Sequence, residues 1–77
     1  MFNESEFAQL IGDAIKDWLE DSWMTQKELA YETGIAESTI SRYIHGDIMP
    51  SLKNLVNIAV ALDCDFNDLI RVYDYIE

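Results

Sequence analysis

The chain has 77 residues, enough for one domain, and a domain of this size buries only about 60–65% of its unfolded surface. Five basic residues stand against 15 acidic ones, and the formal net charge of −10 sets the chain apart from the strongly basic nucleic-acid binders. The single cysteine, Cys64, excludes an intrachain disulfide. The first residues are acidic and lack the basic residues of a signal peptide, and the apolar stretch at residues 55–62 is too short to span a membrane. We therefore expect a cytoplasmic protein.

The first predicted helix covers residues 4–20. Asn3 is a suitable N-cap, Glu6 stands at the capping-box position, and Phe2 and Phe7 occupy the positions of a hydrophobic staple. The helical spacing of three and four residues predicts a core stripe made of Phe7, Leu10, Ile11, Ala14, Ile15, Trp18 and Leu19.

The second predicted helix is short and repeats the same start signal. Thr25 caps it, Glu28 completes the capping box, and Met24 and Leu29 form the staple. Gly34 should end the helix in the left-handed conformation, and we therefore expect a positive φ at this residue.

Three more helices complete an all-α domain. The third is predicted at residues 37–45 and ends at Gly46, and Ser51 caps the fourth. The core face of the fourth helix is predicted to contain Leu52, Leu55, Ile58, Ala59 and Leu62. Asp65 should cap the fifth, with Asp68 in its first turn and apolar positions at Leu69, Ile70, Val72, Tyr73 and Ile76. The prediction is a single domain over residues 1–77, with five helices and no strand.

Residues 26–46 carry the pattern of a helix-turn-helix. Two helices that cross closely need a small residue, which Ala30 supplies, and the turn between them needs a glycine, which Gly34 supplies. This segment, QKELAYETGIAESTISRYIHG, and the continuation GDIMPSLKNLVNIAVALDCDFNDLI together resemble the Cro/Xre family of lambda-repressor-like regulators. The resemblance covers residues 7–70 and implies the five-helix lambda-repressor-like fold.

The resemblance also implies a function and a set of contacts. A member of this family is expected to be a sequence-specific transcriptional regulator, such as a repressor, that reads the major groove of double-stranded operator DNA with its third helix. Carried over residue by residue, the DNA-binding set is Gln26, Glu37, Ser38, Thr39, Ser41, Arg42 and His45. Gln26 is implied on a phosphate, and Arg42 is the best candidate for a guanine because it can donate twice to one base edge.

Two departures leave an alternative open. The loop after the third helix, often basic in this family, contains Asp47 here, and Glu37 places an acid on the recognition face. The alternative is an acidic interaction module, an antitoxin-like or anti-regulator partner, that does not bind DNA strongly.

Four apolar residues lie beyond the main stripes of the last two helices, and they predict a homodimer formed through the C-terminal half. They are Val56, Val60, Val72 and Ile76.

The sequence predicts no enzyme. Catalytic residue pairs do not stand out, and one cysteine and one histidine are too few for a structural zinc site. We expect no metal, no cofactor and no small-molecule effector domain. Trp18 and Tyr73 are interpreted as core, Cys64 as a small buried or half-buried apolar residue, and Trp23 as a loop residue that covers the bundle.

Overall fold

The computed structural model describes residues 3–70, and this part of the chain contains helices and no strand. The helices are α1 (Glu4–Asp21), α2 (Gln26–Thr33), α3 (Glu37–Ile44), α4 (Leu52–Leu62) and α5 (Phe66–Ile70). The expected five-helix, all-α fold is confirmed, with α1 one residue longer and α3 one residue shorter than predicted. The predictions made for Phe2, Val72, Tyr73 and Ile76 lie outside the described residues.

The predicted helix starts are present as hydrogen bonds. The Asn3 side chain accepts from the Glu6 backbone N–H at 2.8 Å, which is the only bond of the predicted box seen at α1 in the described residues. The full capping box forms at α2, where Thr25 Oγ1 accepts from Glu28 N–H at 3.1 Å and Glu28 Oε1 accepts from Thr25 N–H at 3.0 Å. At α4, Ser51 Oγ accepts from Asn54 N–H at 3.1 Å. These caps satisfy backbone donors that the first helical turn leaves free.

Before α5 one bond of a capping box forms, with Asp65 at the N-cap position. The Asp65 backbone N–H donates to the Asp68 carboxylate at 2.9 Å, so the bond that the structure describes here uses the side chain of Asp68. An anion in the first turn also interacts favourably with the partial positive charge at this end of the helix.

Each connection between helices contains one residue with positive φ. Gly34 has φ 74° and ends α2 as predicted. Trp23 (φ 56°), Gly46 (φ 73°) and Asp63 (φ 54°) follow the ends of α1, α3 and α4. At these three places the next backbone N–H donates to a carbonyl five residues earlier, at 3.1, 2.9 and 3.0 Å, which is the Schellman pattern.

The core lies between the inner faces of all five helices. Its fully buried large side chains are Ile11, Ile15, Leu29, Ile40, Ile58 and Leu69. Phe7, Trp18 and Cys64 are half-buried against this core, so Trp18 contributes to it without being enclosed.

Two predicted positions are wrong. Leu52 was expected on the core face of α4 but is 69% exposed. It is the first residue of α4, and its neighbours Ser51 and Lys53 are exposed too, so this turn lies outside the packed core. Trp23 was expected to cover the bundle but is 94% exposed, because the left-handed turn after α1 leaves its side chain in solvent.

Helix α1 lies unusually close to α3 at Gly12. A β-carbon at this position would meet the Tyr43 carbonyl oxygen and would lie 2.8 Å from the Ile44 carbonyl oxygen. Both are backbone atoms and cannot swing away as the end of a side chain can. Gly12 therefore sets how closely α1 approaches the C-terminal half of α3.

Candidate nucleic-acid interface

The helix-turn-helix is built from α2, the three residues 34–36, and α3. Leu29 and Ile40 are fully buried and join the two helices to the core, and Ala30 is half-buried against it. The Thr33 hydroxyl donates to the Leu29 carbonyl at 2.8 Å and accepts from the Ile35 N–H at 3.2 Å. This threonine, which sequence analysis missed, holds the turn in one conformation.

One face of α3 is directed to solvent. Ile40, Tyr43 and Ile44 form its buried face. Of the predicted site residues on this helix and its C-cap, Glu37, Ser38, Arg42 and His45 are exposed, whereas Thr39 and Ser41 are half-buried. Within the described part of the chain the Arg42 guanidinium has neither a hydrogen-bond nor an ion-pair partner, so its donors are available to a ligand.

The N-terminus of α3 differs from those of α1, α2 and α4. Its N-cap is Ala36, which has no side-chain acceptor, and no side-chain cap bond forms. The Thr39 N–H donates to the Ala36 carbonyl at 3.0 Å. The N–H groups of Glu37 and Ser38 have no side-chain cap and are left to solvent or a ligand, and such groups bind anions readily.

The buried side of α3 is fixed by a polar contact that the sequence did not suggest. Asn54 Nδ2 donates to the Tyr43 hydroxyl at 2.9 Å and links α3 to α4. Together with the backbone contact at Gly12, this bond fixes the rotation of α3 and hence the direction of its exposed face.

His45 has one nitrogen already engaged. Its Nδ1 lies 2.7 Å from the Ser41 carbonyl oxygen, so Nδ1 carries a hydrogen and donates to that carbonyl. Nε2 is the nitrogen left for another partner, and in the neutral ring Nε2 is an acceptor. A bond from His45 to a phosphate therefore requires the protonated imidazolium.

A surface concavity of about 590 Å³ brings two of the predicted residues together. Gln26 and His45 both line it, next to Thr25 and to Lys16 of α1. Asp13 and Glu20 line the same concavity, so its charge is mixed. Lys16 was missed because nothing in its sequence surroundings places α1 beside the ends of α2 and α3.

Acidic groups lie at both ends of α3, and another lies in the first turn of α2. Glu37 and Asp47 are exposed at the start of α3 and in the loop that follows it. The Glu28 carboxylate accepts hydrogen bonds from the backbone N–H and from the side-chain hydroxyl of Thr25. These bonds lower the pKa of the Glu28 carboxyl below its ordinary value. A polyanion that approaches α3 thus meets one arginine, Arg42, and at least two carboxylates, which repel it.

Residues 3–70 lack the features of two other classes of site. They contain no group of three or more histidine, cysteine, aspartate or glutamate side chains placed to hold a metal ion. In residues 3–70 no helix has the length and apolar character needed to cross a membrane.

Comparison with known proteins identifies similar sequences and folds. The helix-turn-helix family HTH_3 matches residues 15–69. The restriction-modification controller protein C.AhdI from Aeromonas hydrophila is 24% identical, with a TM-score of 0.78 over 80% of this chain and 94% of that one. An HTH_3 family transcriptional regulator from Vibrio cholerae is 18% identical, with a TM-score of 0.84 over 91% of this chain and 39% of that one. At these identities the two structures show a shared fold.

A curated sequence also matches over a short stretch. The DNA replication licensing factor mcm6 of Schizosaccharomyces pombe is 32% identical over 54 residues, which is 66% of this chain and 6% of that protein. The chain thus spans a very small part of that relative.

Proposed function

The chain belongs to the helix-turn-helix family HTH_3, and from this we propose that it is a DNA-binding transcriptional regulator of the repressor type that reads the major groove with α3. The observation that carries the proposal is the exposed face of α3, which presents Arg42 in its last turn, without a partner among residues 3–70, and an N-terminus without a side-chain cap at its other end. An α-helix fits the major groove, where side chains reach base edges and backbone N–H groups reach phosphates.

Within this proposal each residue has a separate task. Arg42 donates to O6 and N7 of a guanine, and Ser38, one turn earlier, contacts a base edge or a phosphate. Gln26, in the first turn of α2, contacts a phosphate. Of the remaining members of the proposed set, Glu37 and His45 are exposed at the two ends of this face, and Thr39 and Ser41 are half-buried.

The small number of basic residues predicts that DNA binding depends only weakly on salt concentration. Only five basic residues are available per chain, so few counterions are released from DNA when it binds. We expect binding to the DNA upstream of its own gene to weaken with salt by a log–log slope of only about −2 to −4 per dimer. The measurement is a fluorescence-anisotropy titration of that fragment and of random-sequence DNA at several salt concentrations.

Two results of this titration would contradict the proposal. One is equal affinity for the upstream fragment and for random DNA, which would remove sequence-specific reading. The other is the absence of measurable binding to any fragment at low salt, which would leave the helix-turn-helix as a scaffold.

We further propose that the functional unit is a homodimer formed through the C-terminal half. Leu52, Val56 and Val60 are spaced four residues apart on α4 and are 69%, 43% and 75% exposed. Four-residue spacing places them along one face of the helix, so they form an apolar stripe in contact with water. A second copy that packs on this stripe removes it from water, and a small domain gains stability from such burial.

The dimer is expected to break when the stripe becomes charged. Val60→Glu would bury an unpaired carboxylate in the interface, which weakens association by at least about tenfold. Light scattering at high micromolar concentration measures the change. Tyr31→Glu is the control, because it puts the same charge at an exposed apolar residue of α2 and should leave the dimer intact. A wild-type protein that is monomeric at this concentration would reject the interface.

The net charge supports a second candidate function. With 15 acidic residues and an acid in the loop after α3, the same fold could serve as an antitoxin-like or anti-regulator partner that contacts proteins and not DNA. The DNA titration separates the two candidates, since the second gives no binding at low salt.

A further inference from the structure

Two large aromatic side chains outside α3 are exposed to solvent. Trp23 is 94% exposed and Tyr31 is 86% exposed, although burying such a side chain is normally strongly favourable. A groove of about 350 Å³ is lined by Met24, which precedes α2, and by four residues of α2, namely Lys27, Glu28, Tyr31 and Glu32. We call this groove, with Trp23 next to it in the chain, the aromatic groove.

The fold does not account for Trp23. Its φ of 56° is the left-handed conformation, which glycine adopts without strain and a tryptophan does not. The Schellman turn that it closes, with Met24 N–H donating to the Leu19 carbonyl, uses only backbone atoms of this residue. Both the backbone conformation and the exposure of the indole thus oppose the presence of tryptophan here, unless a partner covers the ring.

The aromatic groove has more acidic than basic side chains in its lining. Glu28 and Glu32 line it, and Glu20 and Asp21 are exposed just before Trp23 in the chain. Lys27 is the one basic side chain in the lining. The hydrogen bonds from Thr25 that favour the charged form of Glu28 keep this rim anionic. The groove itself therefore has two carboxylates and one ammonium group beside Tyr31, and two further carboxylates precede Trp23 in the chain.

We propose that the aromatic groove docks a cationic segment of a partner protein, one that presents arginine or lysine with apolar residues between them. Cationic side chains stack on indole and phenol rings and pair with the surrounding carboxylates, while the apolar residues cover Met24. DNA is disfavoured because the rim would face phosphates, and a second copy is disfavoured because two anionic rims would face each other. Docking at this groove does not depend on whether α3 reads DNA.

The test uses the full-length chain and a synthetic peptide of alternating arginine and leucine. We expect the peptide to shift the amide NMR signals of Met24, Lys27 and Tyr31, and a peptide with glutamate in place of each arginine to leave them unchanged. Tyr31→Ala should weaken binding by about tenfold. Glu32→Gln should weaken it as well, whereas Glu4→Gln, the same change at an exposed site on α1, should not.

Trp23→Gly separates loss of binding from loss of folding. Glycine suits the left-handed turn, so the melting temperature should not fall, while peptide affinity falls. A peptide that binds Tyr31→Ala and Trp23→Gly as well as the parent would overturn the proposal, and so would the absence of any peptide-induced shift. Shifts of the same amides caused by a DNA duplex, or by raising the protein concentration alone, would assign the groove to nucleic acid or to a second copy and overturn it too.

Discussion

Replacing Gly12 by alanine is expected to lower the free energy of unfolding by roughly 2 kcal/mol. In an exposed helix the same change would raise stability by about 1 kcal/mol, because alanine is the better helix former. Here the added β-carbon overlaps the Tyr43 carbonyl oxygen and lies 2.8 Å from the Ile44 carbonyl oxygen, so α1 and α3 must move apart. Thermal unfolding followed by circular dichroism should show a melting temperature lower by about 10 °C.

Gly34→Ala is the matched control for this measurement. Nothing lies within 4 Å of a β-carbon at Gly34, so the variant has only the strain of a left-handed alanine, about 1 kcal/mol. Gly12→Ala should therefore destabilise the protein more than Gly34→Ala does. A higher melting temperature for Gly12→Ala than for the parent would show that the two helices are not held at this separation.

Replacing Arg42 by alanine is expected to remove most of the preference for the correct DNA site. The loss of two donors to one guanine should decrease discrimination between cognate and mismatched DNA by about 1–3 kcal/mol. Gln26→Ala should weaken binding about equally on all sequences, because a phosphate contact contains no base information. Glu37→Gln should strengthen binding to random DNA, since it removes an anion near the backbone.

Two further variants separate the charge of Arg42 from its geometry. Arg42→Lys keeps the charge but not the planar pair of donors, so affinity for random DNA should persist while discrimination falls. Lys53→Ala removes an exposed base from α4, outside the proposed site, and should leave discrimination unchanged. Equal discrimination by the parent and by Arg42→Ala would reject base reading by this residue, and the measurement is competition anisotropy with single-site mismatched duplexes.

The fold could be predicted from local signals because these signals agree with one another. The caps at Asn3, Thr25 and Ser51 are hydrogen bonds between neighbours in sequence, and the apolar spacing shows which side of each helix is buried. The errors arise where distant parts of the chain decide the outcome. Leu52 fits the stripe of α4, but its burial depends on what lies beside the first turn, and the spacing within one helix contains no such information.

The candidate site could be predicted only in part for a similar reason. The exposed face of α3 follows from the burial of Ile40 and Ile44, and both are buried. The close contact at Gly12 depends on the backbone of α3, thirty or so residues away, and in sequence this glycine is an ordinary helical residue. The DNA contacts of the site residues stay predictions, since they depend on a partner that the chain does not contain.

The short connections between helices have a consequence for the order in which the domain forms on the ribosome. Three of them span only three or four residues, so α2 and α3, or α4 and α5, can pair soon after they are synthesised. Helix α1 is made first, yet it packs on α3 and α5. Its apolar stripe therefore stays in water until α3, and then α5, have also left the exit tunnel, so among the five helices α1 waits longest for its full set of contacts.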